Sequence, residues 1–143
     1  MDELARYSRQ MVLPGVGRAG QARLGAATVA VVGLGALGSA MAEALARAGV
    51  GTLRLIDRDV LELHNLQRQT LYTEADVAAA LPKAVAAVAH LQAINSTITQ
   101  QPQTVDLSAE NVTALLAGAD LVLDGTDNFA ARYLLNDACV AAG

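Results

Sequence analysis

The sequence has 143 residues and a net charge of −4, which is enough chain for one domain with a buried core. Apolar residues make up 53%, yet the aromatics are only one Phe and three Tyr, so the core must be built from Ala, Val and Leu. The acidic balance, with no basic stripe, argues against a nucleic-acid surface. A single cysteine excludes an internal disulfide or a multi-cysteine zinc site within these residues. With no signal peptide or membrane span indicated, we expect a cytoplasmic protein.

The first 25 residues predict a helical arm that precedes the main domain. A helical pattern over residues 3–25 is interrupted by "LPGVG", and the arm carries Arg9 in the stretch "RYSRQ". We therefore divide the sequence into an arm, residues 1–25, and a nucleotide-binding domain, residues 26–143.

The stretch "VAVVGLGALGSAMAEALARAG" predicts a nucleotide-binding loop. Gly33, Gly35 and Gly38 have the GxGxxG spacing between a predicted strand and a predicted helix. The first glycine permits a sharp turn, the second lets a phosphate approach the backbone, and the third lets the helix lie close to the strand. The helix N-terminus offers free N–H groups to an anion. Asp57, which ends the next predicted strand, is placed to accept hydrogen bonds from a ribose.

Strands and helices alternate along the rest of the chain. The predicted strands are 28–32, 52–57, 97–102 and 121–124, and the predicted helices are 36–48, 82–94, 109–117 and 128–142. This order is typical of an α/β fold, a Rossmann-like, doubly wound, mostly parallel sheet. Residues 58–81 are a long crossover, Ser108 is a predicted N-cap, and Pro82 is placed in a first helical turn. Because only four strands are present, we expect the domain to be a truncated part of a longer protein.

The crossover and the helix after it carry a set of polar and cationic residues. Asp59, Asn65 and Arg68 follow Asp57, and Lys83 is the single lysine of the sequence. Lys83 lies in a first helical turn, where the helix dipole disfavours a cation unless an anion binds. A triphosphate would account for these residues better than a dinucleotide would. The alternatives are a solvated Lys83, an Arg68 paired with Glu62 or Glu74, and an Asn65 that only caps a turn.

Two carboxylates follow the fourth predicted strand in "LVLDGTDNFAAR". Asp124 and Asp127 leave the carboxyl end of this strand near the predicted switch point of the sheet, where ligands bind. A carboxylate there can hold Mg²⁺. The alternative is that Asp127 caps the last helix. His64, His90 and Cys139 are interpreted as structural or solvent-facing.

Six stretches of the sequence, taken in order, resemble the ThiF/MoeB adenylyltransferase family, relatives of the ubiquitin-activating enzymes. They are "RYSRQMVLPGVG", "GLGALGS", "AGVGTLRLIDRD", "NLQRQTLYTEADV", "PKA" and "DGTDN". The resemblance runs from Arg6 to the last residue. It implies ATP and Mg²⁺ as cofactors and a homodimer. It also implies adenylylation of the C-terminal carboxylate of a ubiquitin-fold sulfur carrier ending in Gly-Gly, with release of pyrophosphate. The carrier would serve thiamine, molybdopterin or another sulfur pathway.

The same resemblance assigns roles to single residues. Gly35 would line the phosphate path and Asp57 would hold the ribose, with Gly33, Gly38 and Asp59 in the same nucleotide site. The other assigned residues bind the triphosphate or its metal: Asn65, Arg68 and Lys83 the phosphates, Asp127 the Mg²⁺, and Asn128 the nucleotide beside it. Arg9 resembles the arginine that enters the neighbouring subunit's site. We treat Arg9, Arg68, Lys83 and Asp127 as the catalytic set.

Three departures from the family pattern accompany the resemblance. His64 stands where a serine commonly precedes "NLQRQ", and "VAAALPK" is longer than the usual spacing before the lysine. Cysteine pairs that bind zinc in many members would fall after Gly143.

Two rival functions stay open at this point: an NAD-dependent oxidoreductase, which leaves Arg68, Lys83 and Asp127 unexplained, and a non-catalytic partner subunit. The isolated 143 residues are expected to be inactive without the surfaces that dock the carrier.

Overall fold

A computed structural model describes residues 4–143, so the first three residues of the predicted arm lie outside the described part. The strands are β1 (Thr28–Val32), β2 (Thr52–Ile56), β3 (Thr99–Gln103) and β4 (Leu121–Asp124). The α-helices are α1 (Ser8–Met11), α2 (Gly17–Ala26), α3 (Ala36–Ala48), α4 (Glu74–Ala78), α5 (Lys83–Ile94), α6 (Val112–Leu116) and α7 (Phe129–Ala142). Two short 3₁₀ helices cover Ala5–Tyr7 and Leu63–Asn65.

The four strands form one parallel sheet in the order β3-β2-β1-β4. The chain adds β2 and β3 on one side of β1 and then returns to place β4 on the other side. The order therefore reverses between β1 and β4, and in such sheets ligands bind at the carboxyl ends of the strands at this switch point. The predicted doubly wound parallel sheet is confirmed.

Helices cover both faces of the sheet. One face carries the larger core, in which α3 and α5 pack through small residues, including Ala42, Ala46 and Ala87, which are fully buried. The other face carries a smaller core with α6 and α7, centred on Val112 and Leu135. Alanines let a helix approach a sheet of Val and Leu closely, which is how a core with few aromatics reaches dense packing. No helix within residues 4–143 is long and apolar enough to cross a membrane.

Several predicted boundaries shift by one to three residues. The predicted N-cap at Ser108 is wrong, because α6 begins at Val112 and Ser108 belongs to the preceding turn, where its N–H donates to Asn111 Oδ1. Asn128 rather than Asp127 caps α7, since Asn128 Oδ1 accepts from Ala131 N. Pro82 precedes the first residue of α5 instead of lying within its first turn. Strand β3 lies later than predicted, and β2 ends before Asp57.

The crossover at residues 58–81 contains two short helices that the sequence pattern did not indicate. Each begins with a capping box, formed by Glu62 and Asn65 in the 3₁₀ helix and by Thr73 and Asp76 in α4. Reciprocal side-chain caps satisfy the backbone groups of elements too short for a hydrophobic periodicity. A backbone bridge between Val60 and Pro82 closes the crossover at its base.

The arm is broken at residues 12–16, as predicted, and packs at the amino edge of the sheet. The carbonyl of Ala48, at the end of α3, accepts hydrogen bonds from the amides of Gln10 and Gln21, which also bond to each other. Buried Asn95 donates to the Tyr7 hydroxyl. The arm is therefore attached opposite the carboxyl edge that carries the predicted nucleotide loop.

Candidate functional site

The loop between β1 and α3 has the shape that its glycines predict. Gly33 has a φ of +82°, and a side chain there would also meet the backbone of Gly125 at 2.8 Å. A Cβ on Gly38 would overlap the carbonyl oxygen of Gly33. Gly33 and Gly38 are thus required by the packing of the loop itself, against α3 and against the loop after β4.

Gly35 differs from these two glycines because the space beside it is open. A Cβ there would have only one neighbour within 4 Å, the side-chain Nε2 of Gln69 at 3.7 Å. Gly35 immediately precedes the thirteen-residue helix α3, whose first turn presents unpaired N–H groups and the positive end of the helix dipole. The opening is therefore suited to an anionic group that approaches the backbone.

Asp57 connects the loop after β1 to the loop after β2. Its Oδ2 accepts from Leu34 N at 2.7 Å and its Oδ1 accepts from Asp59 N at 2.7 Å. Each carboxylate oxygen retains a further lone pair, so Asp57 can also accept from a ligand hydroxyl. The sequence predicted the ligand role but not this bracing of the loop.

Tyr72 holds the other side of Leu34. Its buried hydroxyl donates to the Leu34 carbonyl at 2.8 Å. Burial raises the pKa of the Tyr72 hydroxyl, and the nearby carboxylates of Asp57 and Asp76 raise it further, so the hydroxyl remains a donor. Both backbone polar groups of Leu34 are therefore fixed. Sequence reasoning missed Tyr72, although "NLQRQTLYTEADV" contains it.

Lys83 is buried at the first position of α5, with 6% of its surface exposed. Its Nζ lies 2.9 Å from Asp59 Oδ2, and its backbone N–H donates to the Asp59 carbonyl at 2.8 Å. The interpretation of Lys83 as a solvated surface lysine is wrong. The Asp59 side chain is 52% exposed, so it can share Lys83 with an incoming anion and remain hydrated.

Asn65 and Arg68 lie on the crossover between Asp59 and Lys83. Asn65 is buried, and its Oδ1 caps the 3₁₀ helix by accepting from Glu62 N at 2.9 Å, which confirms the predicted turn cap. Its Nδ2 forms no hydrogen bond with any residue between 4 and 143. Arg68 is exposed, and among residues 4–143 its side chain donates only to the His64 carbonyl, at 3.3 Å. The predicted ion pair of Arg68 with Glu62 or Glu74 is not formed, which leaves its charge available.

The loop after β4 completes the edge at the switch point. Gly125 packs on Gly33 and Gly38, and Asp124 is used internally, because its Oδ1 accepts from the Thr126 N–H and hydroxyl. Asp127 is exposed and makes no hydrogen bond or ion pair with the described residues. Within residues 4–143, no three His, Cys, Asp or Glu side chains are arranged to hold a metal ion. A cation here would need ligand oxygens in addition to Asp127.

The fold thus brings the predicted residues of the domain to one edge and leaves Arg9 apart. Arg9 is exposed on α1, and the arm is fixed to the end of α3 that is farthest from Gly35. Thirteen helical residues separate the two ends by about 20 Å. The arm does not direct Arg9 toward its own nucleotide loop.

The remaining polar groups of interest lie behind this edge. His90 Nε2 lies 2.7 Å from Asp76 Oδ2, so this histidine has a structural partner. Burial alone would raise the pKa of Asp76, but hydrogen bonds from His90 and Thr73 outweigh it and hold that pKa below its ordinary value. His64 is largely exposed.

Known proteins with similar sequences match almost the whole of this chain. The chain is 46% identical over 138 residues to the sulfur carrier protein ThiS adenylyltransferase of Bacillus subtilis, and it is 47% identical over 142 residues to the sulfur carrier protein adenylyltransferase of Thermus thermophilus. These matches cover 96% and 99% of this chain but 41% and 52% of those proteins. The chain therefore spans about half the length, or less, of these relatives.

A solved structure with the same fold contains a nucleotide. The tRNA N6-threonylcarbamoyladenosine dehydratase TcdA of E. coli, crystallised in complex with ATP, superimposes with a TM-score of 0.90 at 28% identity. The match covers 97% of this chain and 56% of that one. The model of the ThiF family matches residues 7–143. This chain belongs to the ThiF family.

Proposed function

We propose that this chain is the ATP-binding part of an enzyme that adenylylates the C-terminal carboxylate of a ubiquitin-fold sulfur carrier ending in Gly-Gly. The observation that carries the proposal is that hydrogen bonds join the buried cation Lys83, through Asp59 and Asp57, to Leu34, the residue before the open helix N-terminus at Gly35. Arg68 lies in the same turn as Gln69, which borders that opening. Sulfur-carrier adenylyltransferases at 46% and 47% identity support it.

The residues at this edge fit the parts of ATP. Asp57 accepts from the ribose hydroxyls, the first turn of α3 at Gly35 receives a phosphate, and Asn65 Nδ2 donates to a phosphate oxygen. Arg68 and Lys83 neutralise the triphosphate, with Asp59 holding Lys83 in place. Fixed charges that need no reorganisation are the main contribution a protein makes to chemistry at phosphorus.

In the proposed reaction, a carboxylate oxygen of the carrier forms a bond to the α-phosphorus while the bond to the bridging oxygen of pyrophosphate breaks. An acyl-adenylate remains and pyrophosphate leaves with the electron pair of that bond. The carboxylate is ionised at pH 7 and is itself the nucleophile, so no general base is required. Lys83 and Arg68 stabilise the charge that develops on the departing phosphates.

We assign Asp127 as the protein ligand of Mg²⁺. Its exposed side chain has no competing partner among the described residues, whereas Asp124 is bonded to Thr126. Mg²⁺ in nucleotide sites is held by one or two carboxylates together with phosphate oxygens and waters. The absence of a three-ligand cluster in the described residues fits such a site, and bound Mg²⁺ would offset the charge of the phosphates.

Carrier-dependent exchange of pyrophosphate into ATP tests the proposed reaction. The full natural chain that contains these residues is incubated with ATP, labelled pyrophosphate and a candidate carrier for thiamine or for molybdopterin synthesis. We expect label in ATP with one carrier and none with the same carrier lacking its last glycine. Exchange that ignores the carrier terminus, or no exchange with any carrier, would contradict the proposal.

We also propose a homodimer in which Arg9 serves the partner's ATP. The arm holds Arg9 at the edge opposite its own loop, so only a second copy could bring this cation to the phosphates. Mixing Arg9→Ala with Asp127→Ala protein should give more exchange activity than either variant alone, because one site of the mixed dimer is intact. A fully active monomer would disprove the assignment.

A protein carboxylate is favoured over a nucleic acid as the substrate. TcdA, named for a tRNA modification, is 28% identical, whereas the named sulfur-carrier enzymes are 46% and 47% identical. The net charge of −4 would also oppose a polyanionic partner. We further propose a cytoplasmic location, consistent with a single cysteine and no disulfide.

A further inference from the structure

Gln69 lies beside the opening at Gly35, and its carboxamide forms no hydrogen bond with any residue from 4 to 143. The residue is 3% exposed, and its Oε1 is a buried oxygen without a donor. Its Nε2 forms no hydrogen bond with residues 4–143 and is the one atom within 4 Å of the position that a Gly35 side chain would take. A group that enters the opening therefore meets this amide.

An orphaned amide in this place is unusual enough to require a reason. Leaving a buried polar atom unpaired costs free energy, and native proteins keep few such atoms, often at functional positions. Gln100 carries the other buried, unpaired side-chain oxygen of the described chain, but its Nε2 donates to the Asn95 carbonyl at the opposite edge. Gln69 combines a wholly unbonded amide with an adjacent open space.

The segment around Gln69 fixes the amide in this position. Its backbone N–H donates to the Asn65 carbonyl at 2.9 Å, and its carbonyl accepts from Tyr72 N at 3.2 Å. Asn65 Oδ1 accepts from Glu62 N, and the Tyr72 hydroxyl donates to the Leu34 carbonyl, so the turn that carries Gln69 is attached to the glycine loop. The side chain is held against Gly35 before any ligand arrives.

We propose that Gln69 is a nucleotide-binding residue whose Nε2 donates to ATP bound at Gly35. A phosphate oxygen over Gly35 is the acceptor that Nε2 lacks. A nucleoside triphosphate supplies such an oxygen. This inference rests on the proposed function and deepens it, by adding a neutral residue to the set of charged ones.

The test compares Gln69→Leu with the matched control Gln100→Leu, using Mg-ATP as the ligand. Replacing an unpartnered buried amide by an apolar side chain of similar size should leave the melting temperature of the free protein unchanged or raise it. Titration calorimetry should nevertheless show a Kd for Mg-ATP about tenfold or more weaker for Gln69→Leu, and within about twofold of wild type for Gln100→Leu. Gln69→Glu keeps the shape but repels phosphate, and it should weaken binding at least as much.

The outcomes separate this inference from the proposed function. If both Gln69 variants bind Mg-ATP as tightly as the wild-type protein does, the role of Gln69 is overturned and the proposed function stands. A lower melting temperature of Gln69→Leu with unchanged affinity would make Gln69 a structural residue and would also overturn it. A wild-type protein that does not bind Mg-ATP would overturn the proposed function, and the inference with it. Should Gln69→Leu not fold, the affinity of Gln69→Glu decides.

Discussion

The two halves of the carboxyl edge are built differently. The loops after β1 and β2, with the start of α5, form a braced half. There, Leu34 is bonded to Asp57 and Tyr72, and Asp59 to Lys83. The loop after β4 and the start of α7 form an open half, where Asp127 has no partner within residues 4–143. The side chains of the braced half are fixed by hydrogen bonds before a ligand arrives. In the open half, the exposed carboxylate of Asp127 is left for a ligand or another surface.

Exposed aromatic residues strengthen this contrast. Phe129 and Tyr133 on α7 are 71% and 66% exposed, and they contact each other with ring centroids 6.2 Å apart. In the braced half the aromatic Tyr72 is 6% exposed. We therefore expect nucleotide affinity to depend chiefly on the braced half. Metal binding should depend on the open half.

Lys83→Ala should have the largest effect and tests the braced half directly. Losing one fixed cation at the phosphates should lower carrier-dependent pyrophosphate exchange by about 10²-fold or more. Arg58→Ala is the matched control, because Arg58 is an exposed cation that also lies near Asp59, at 3.6 Å, and its loss should change exchange by less than about threefold. Similar losses in both variants would show that the burial of Lys83 has no special role.

Asp127→Ala tests the open half. We expect exchange to fall about tenfold to a hundredfold, with a higher Mg²⁺ concentration needed for half-maximal rate, because one carboxylate of the coordination is removed. Asp137→Ala, an exposed carboxylate farther along α7, should behave as wild type. An unchanged Mg²⁺ requirement in Asp127→Ala would place the metal elsewhere.

Two glycine substitutions sharpen the contrast between folding and binding within the braced half. Gly35→Ala has room for its methyl group and an ordinary φ of −74°, so its melting temperature should stay near that of wild type while Mg-ATP binds about tenfold more weakly. Gly38→Ala would overlap the Gly33 carbonyl and should lose about 1–3 kcal/mol of unfolding free energy. Thermal melts and titration calorimetry measure both. Equal stability losses would remove the distinction.

Asp76→Asn should have the smallest effect. It tests whether the hydrogen bonds of Asp76, which lies behind the carboxyl edge, contribute to the free energy of unfolding. Because the pKa of Asp76 is lowered in the folded state, its contribution is present above the ordinary value of about 3.9 and is lost as the pH falls through the folded value. Wild type should therefore lose more unfolding free energy than Asp76→Asn between about pH 4.5 and pH 2. Urea unfolding across this range measures it. Parallel losses in the two proteins would contradict the assignment to Asp76.

Much of the fold could be predicted because its signals are local. Apolar runs and the glycine motif place β1, α3 and β4 at their observed residues. The short helices at Leu63–Asn65 and Glu74–Ala78 could not be predicted from periodicity, since they are held by side-chain caps. The start of α6 depends on a turn closed by Asn111, whose geometry competes with the cap expected at Ser108.

The sequence allows the residues of the candidate site to be proposed, but not the contacts between them. The charge and spacing of Arg68, Lys83 and Asp127 predict binding of phosphate and a metal ion, and their roles stay predictions. The bonds that hold them depend on contacts between distant segments, such as Lys83 with Asp59 and Tyr72 with Leu34. Neutral residues such as Gln69 carry no charge signal, so only their burial beside Gly35 reveals them.

We propose that the braced half binds a triphosphate rather than a dinucleotide. Calorimetric titration of the full natural chain that contains these residues, with Mg-ATP in one experiment and NADH in another, tests this most directly. We predict a saturable heat of binding and a raised melting temperature with Mg-ATP, and neither with NADH. Binding of NADH as tightly as Mg-ATP, or more tightly, would contradict the assignment of this site to a triphosphate.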